Sequence, residues 1–268
     1  MYQILLGVQC ISIVVLFLEC WVVFKNWKGT LHSYLFFGCA ATLINNLGYF
    51  FELRAKTEEA YFTALCFSYM GRVWISFALL FFMAELVRFV IPRGVKILMA
   101  LINVITYVVV ITTGYTGLFY KNLGFTFDGE FPVFIHKNGG WHIFWNFMLF
   151  FHIGFGMTLM VRKWLKEKNP IARKRLITVA FAVITQSVFL VIQLFHLIPA
   201  ISNYDVTMLS FPIAAVFMFI AIYRYSLLDT AGLAREYVID ELSEGIIAVD
   251  EGGEAPLQST ARPSRRSS

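Results

Sequence analysis

Residues 2–24 read YQILLGVQCISIVVLFLECWVVF, a run with a single charged side chain, Glu19. A helix needs roughly 20 apolar residues to cross about 30 Å of hydrocarbon. This stretch meets that length and exceeds what a soluble core helix requires. Six more blocks of the same kind follow, at about 31–53, 60–84, 97–117, 141–161, 176–197 and 207–225. Only helices and closed barrels satisfy their backbone in lipid. The apolar residues here run continuously and do not alternate in period two, which selects helices. The blocks take up most of the 268 residues, and composition agrees with 59% hydrophobic and 15% charged. The expected fold is an all-α membrane protein, a seven-transmembrane helix bundle. Residues 1–226 are read as its membrane domain. The N-terminus shows neither a basic region nor a small-residue cleavage site, so the first block is read as a span. Cys10, Cys20, Cys39 and Cys66 all fall inside blocks and read as small buried hydrophobes.

The connections between blocks divide sharply in charge. Lys25, Lys28, Arg88, Arg93, Lys96, Arg162, Lys163, Lys166, Lys168, Arg173, Lys174 and Arg175 fall on one side. Arg54, Lys56, Lys121 and Lys137 fall on the other. Basic loops stay in the cytoplasm. The expected orientation is N-terminus outside, C-terminus cytoplasmic. The net charge of +5 is thereby a topology signal and not a nucleic-acid footprint. A lipid bilayer is the partner it implies.

The longest outer connection, 118–140, carries Asp128-Gly129-Glu130 between aromatic residues. Asp-Gly between apolar runs signals a hairpin. A small extracellular β-hairpin is expected between helices 4 and 5, as either a lid or a structural cap. Beyond Tyr225, residues 227–244 read as a cytoplasmic helix with a stripe through Leu228, Ala231, Val238 and Leu242. That stripe suits a parallel dimer linker, so a homodimer is expected, or else a helix lying on the bilayer. Residues 245–254 form a β-branched run ended by Gly252-Gly253, a lone strand. Residues 255–268 have a disordered composition. The strand implies a longer parent chain or pairing with another molecule.

Two stretches carry a family resemblance. One is Asn46-Leu47-Gly48-Tyr49-Phe50-Phe51-Glu52, then Glu59-Ala60 and Tyr69-Met70-Gly71. The other is Tyr223-Arg224-Tyr225-Ser226-Leu227-Leu228-Asp229, leading through Ala234-Arg235-Glu236 to Glu244-Gly245-Ile246-Ile247-Ala248-Val249-Asp250. Together they resemble the seven-helix N-terminal sensor region of bacterial histidine kinases and some diguanylate cyclases. The resemblance implies a receptor in a bacterial cell membrane, with 245–254 as the first strand of a PAS domain. It implies a cytoplasmic signalling partner or output module, which does not follow in this chain. The family often places a proline just past the Tyr-x-Gly, where this chain has Arg72-Val73-Trp74-Ile75.

Ionisable residues in a bilayer usually face a bundle interior or a cavity. Asn45, Tyr49 and Glu52 share one face of the second block. Gln186, Gln193 and His196 share a face of the sixth, and Tyr69 and Arg72 lie on the third. One reading makes Asn45, Tyr49, Glu52, Tyr69, Arg72, Gln193 and His196 the lining of a pocket for a small polar or anionic ligand, with Arg72 as anchor. The other makes them interhelical glue, with Arg72 paired to Glu52 or Glu19. His32, His136 and His142 read as interfacial residues.

A signal-transducing receptor is the leading function. A transporter or channel-like protein is the alternative, though no pair of blocks shows matching Gly/Pro interruptions. A membrane hydrolase would need a metal set, and no span carries His-x-x-x-His or Glu-x-x-His. A retinal protein would need a lysine in the seventh block, which has none. No catalytic residue, metal or cofactor is expected.

Overall fold

Each apolar block becomes one helix because the chain breaks where charge, Gly and Pro interrupt it. The computed structural model describes residues 2–199 and 204–229. Seven long helices suit a membrane by length and composition: α1 Tyr2–Lys25, α2 Thr30–Arg54, α3 Glu58–Leu86, α4 Arg93–Ile111, α6 Gly140–Lys166, α7 Pro170–Leu194 and α8 Thr207–Arg224. A one-turn helix, α5 Thr113–Thr116, follows α4 and leads into the strands β1 Tyr120–Asp128 and β2 Phe131–Asn138. Local signals set the ends. Thr57 caps α3 by accepting from the Ala60 N–H, with Glu58 and Glu59 in the first turn. Asn169 caps α7 and is followed by Pro170.

The hairpin falls where Asp-Gly predicted it. Asp128 pairs with Phe131 across a two-residue loop. Gly129 opens that loop at φ +60°, a left-handed backbone that suits glycine. The register shifts between Lys121 and Gly124, beside Asn122 at φ +52°, so β1 carries a bulge.

The α2–α3 pair packs most extensively of all the helices. Two glycines allow this. A Cβ on Gly48 would lie 2.3 Å from the Ser68 Cα, and one on Gly71 would lie 2.1 Å from the Ala41 carbonyl oxygen. Small residues bring membrane helices close where no hydrophobic effect drives them together. Both glycines belong to the segments that carry the family resemblance. Conversely, Ile11, Phe17, Ile97 and Leu98 are exposed, the outward apolar surface expected of a bundle solvated by lipid tails.

The turn from α6 to α7 is held by charge. Lys163 Nζ lies 2.9 Å from Glu167 Oε2, and the Asn169 N–H donates to Glu167 Oε1 at 3.1 Å. Burial by itself would raise the Glu167 carboxyl. The Lys163 bond and charge and the Asn169 N–H outweigh it and hold the group below its ordinary range. The folded state therefore favours the charged form. Its stabilisation is complete above the unfolded carboxyl's pKa of about 4.3, and fades as pH falls through the lower folded value. Acidification is expected to lower the hydrogen-exchange protection factors of the amides at residues 166–169, measured against the intrinsic exchange rate at each pH. Glu167→Gln should abolish that pH response while exchanging faster at neutral pH.

At the far end of α8 the helix stops at Arg224, and Ser226 is left-handed at φ +50°. The Leu227 N–H donates back to the Ala221 carbonyl at 3.0 Å. Leu227 and Leu228 are buried. Arg175 Nε of α7 donates to the Tyr225 carbonyl at 2.8 Å, and His32 Nε2 of α2 bonds the Leu228 carbonyl at 3.1 Å. His32 is thus a buried tether between α2 and the chain beyond α8. The expected 227–244 helix does not begin at Leu227, which lies in a turn with Leu228. The rest of that helix, the 245–254 strand and the 255–268 tail lie outside the described residues.

Candidate functional site

A cavity of about 460 Å³ opens among α2, α3, α6, α7 and the start of α8, with β2 contributing one wall. All seven residues picked out from the sequence line it: Asn45, Tyr49, Glu52, Tyr69, Arg72, Gln193 and His196. Gln186 lines it as well. His196 arrives by a different route from the helical periodicity that suggested it. The helix ends at Leu194, and His196 sits in the turn beyond at φ +48°. The Leu197 N–H closes that turn on the Ile192 carbonyl at 3.1 Å.

Arg72 is the charge at the centre, and its partner is neither Glu52 nor Glu19. Its Nη2 donates to Asp205 Oδ2 at 2.8 Å. Its Nε donates to Asn45 Oδ1 at 2.9 Å, and its guanidinium lies over the Tyr69 ring at 5.0 Å. Asp205 gave no periodic signal because it precedes α8 in a connection. There its second oxygen, Oδ1, accepts from both the N–H and the hydroxyl of Thr207, fixing the first turn of α8.

The Tyr204–Val206 segment meets four helices. The Tyr204 hydroxyl donates to Gln9 Oε1 of α1 at 3.2 Å. The Asp205 N–H donates to Tyr49 Oη of α2 at 2.7 Å. The Val206 N–H donates to Gln193 Oε1 of α7 at 2.9 Å, and Arg72 of α3 supplies the ion pair. Gln9 and Ser12 in turn donate to Asn46 Oδ1 at 3.0 and 3.1 Å. That neighbouring cluster ties α1 to α2 through polar side chains that the sequence reading did not single out.

Glu52 stands apart from these satisfied groups. It is buried, and its Oε2 accepts from the Tyr61 hydroxyl at 3.3 Å. Its Oε1 has no hydrogen-bond partner among the described residues. Ser68 is close by, but its one hydroxyl proton goes to Asn45 Oδ1 at 3.0 Å. Aromatic rings continue from Tyr61: it stacks on Phe134 at 5.2 Å, and Phe134 leads to Tyr120. The Tyr120 hydroxyl bonds that of Tyr69. His136 and His142 also line the cavity, which their reading as interfacial residues did not anticipate. Burial pushes the His136 imidazole below its ordinary value, so it is neutral near pH 7.

Among the described residues, no group of three or more His, Cys, Asp or Glu is placed to hold a metal. The family described as the N-terminal 7TM region of histidine kinase matches residues 8–231. The chain belongs to that family. No curated protein matches it. The match runs from α1 through α8 and stops short of 245–254. As a member, this multi-pass membrane protein is the sensor region of a histidine kinase, with a signalling role, and the match includes no catalytic domain.

Proposed function

We propose that the seven-helix bundle is a receptor for a small polar molecule taken up in the 460 Å³ cavity. Occupancy is transmitted through α8 to a cytoplasmic partner. One observation carries this reading. The Arg72–Asp205 pair joins a cavity wall directly to the first turn of α8, so a ligand that disturbs Arg72 acts on the helix that leaves the bundle. A ligand shifts such an equilibrium by its differential affinity for two arrangements.

The charge asymmetry of the connections supports an N-terminus outside a bacterial cell membrane and a cytoplasmic C-terminus. The hairpin then covers the outer mouth of the cavity as a lid. Residues 227–244 would link two copies, and 245–254 would open a PAS module ahead of a kinase or cyclase.

Two measurements test this. A membrane-impermeant amine reagent on intact cells should spare Lys163 and modify Lys121. Labelling of Lys163 would reverse the orientation and with it the receptor scheme. Arg175→Ala should free the Tyr225 carbonyl from its tether, a loss of about 1–3 kcal/mol. Hydrogen exchange is expected to quicken at residues 225–228, while the amides around Asn45 and Arg72 keep their protection.

A further inference from the structure

Leaving the histidines aside, acidic residues outnumber basic ones on the cavity wall, since Glu52 and Asp205 face Arg72 alone. Asp205 and Arg72 already satisfy each other at 2.8 Å. Arg72 is also held by Asn45 and covered by the Tyr69 ring. An anion reaching the remaining guanidinium hydrogens would have to settle among two carboxylates. Glu52 is the opposite case, a buried side chain on the cavity wall with one oxygen that receives no hydrogen bond. A buried acceptor left unmatched is destabilising. That deficit is cancelled by any guest that brings a donor.

We infer that the cavity's ligand is a small organic ammonium whose N–H group donates to Glu52 Oε1 and whose apolar body lies against the Tyr61–Phe134–Tyr120 rings. This rests on the receptor reading and gives its ligand a chemical class. It departs from the sequence reading of a small polar or anionic ligand anchored by Arg72. The aromatic wall suits it, because an apolar body buries its surface against the rings. The volume suits it too, since small-molecule pockets run from roughly 300 to 1,000 Å³.

The test uses the full chain in lipid nanodiscs and three probes of matched shape: 2-phenylethylammonium, 2-phenylethanol and 3-phenylpropanoate. Calorimetry and thermal shift should rank the ammonium first, tighter than the alcohol by roughly tenfold, with the carboxylate weakest. Glu52→Gln keeps an acceptor for Tyr61 and removes the charge. It should weaken the ammonium roughly tenfold while leaving the alcohol within about threefold. Tightest binding by 3-phenylpropanoate would overturn the ammonium class and leave the receptor cavity standing. Binding by none of the three would bring down both. Unchanged ammonium affinity in Glu52→Gln would overturn the role of Glu52. Should that variant fail to fold, the ranking of the three probes on the unaltered chain still decides the class.

Discussion

Replacing Asp205 by Ala is expected to lower the unfolding free energy by about 3 kcal/mol, the low end of the range for breaking a buried ion pair. The low end applies because the side chains of Arg72 and Asp205 retain 22% and 15% of their exposure toward the cavity. The loss has two parts. Arg72 keeps its bond to Asn45 but loses its compensating charge, and the first turn of α8 loses the acceptor for Thr207. Asp205→Asn separates them, since an amide oxygen can still accept from Thr207 while the charge is gone. Arg72→Met combined with Asp205→Asn should recover much of the stability, because neither member of the pair is then left charged without the other. Unfolding by SDS titration in mixed micelles reads the unaltered chain, Asp205→Ala, Asp205→Asn, Arg72→Met and the double variant. A double variant that is merely the sum of its singles would show that the pair is not coupled.

The second large effect belongs to the α2–α3 seam. Gly71→Val would drive a side chain into the Ala41 carbonyl, where even a Cβ would sit 2.1 Å away, and Gly48→Val would meet the Ser68 backbone at 2.3 Å. Overpacking costs typically about 1–3 kcal/mol. These contacts are with backbone, which cannot swing aside as a side chain can, so the upper end or beyond is expected. Separating the helices also moves Asn45 and Glu52 away from Ser68, Tyr69 and Arg72. The variants should therefore lose thermal stability and binding of any cavity probe together. Gly7→Val, at a position where an added Cβ would meet nothing within 4 Å, is the control and should leave both near wild type. Retained binding in a stable Gly71→Val protein would show that the seam does not shape the cavity.

Much of this was legible in the sequence because lipid makes polar residues informative. Inside a long apolar block, Asn45, Tyr49, Glu52 and Arg72 stand out, and helical spacing alone puts the α2 residues on one face. All of them do line the cavity. The block boundaries and the Asp-Gly turn were legible for similar reasons, since chain breaks are chemically conspicuous. Asp205, Tyr204 and Tyr120 were not. They lie in connections, where a polar or aromatic residue is ordinary and no periodicity fixes its direction. The partners that the glue reading offered Arg72, Glu52 or Glu19, consequently missed Asp205. His32 shows the other limit. Near a helix start it looks interfacial, and only the chain folding back at Leu227-Leu228 makes it a buried bond to a carbonyl.

That fold-back constrains how α8 can move. The helix is moored at both extremities, by Asp205, Tyr204 and Val206 at one and by Arg175 and His32 at the other. A piston stroke along its axis would rupture both sets of moorings together. A swivel about them strains each only slightly. On the receptor reading proposed above, what would leave the bundle at Leu228 is a change in the heading of the chain and not in its depth.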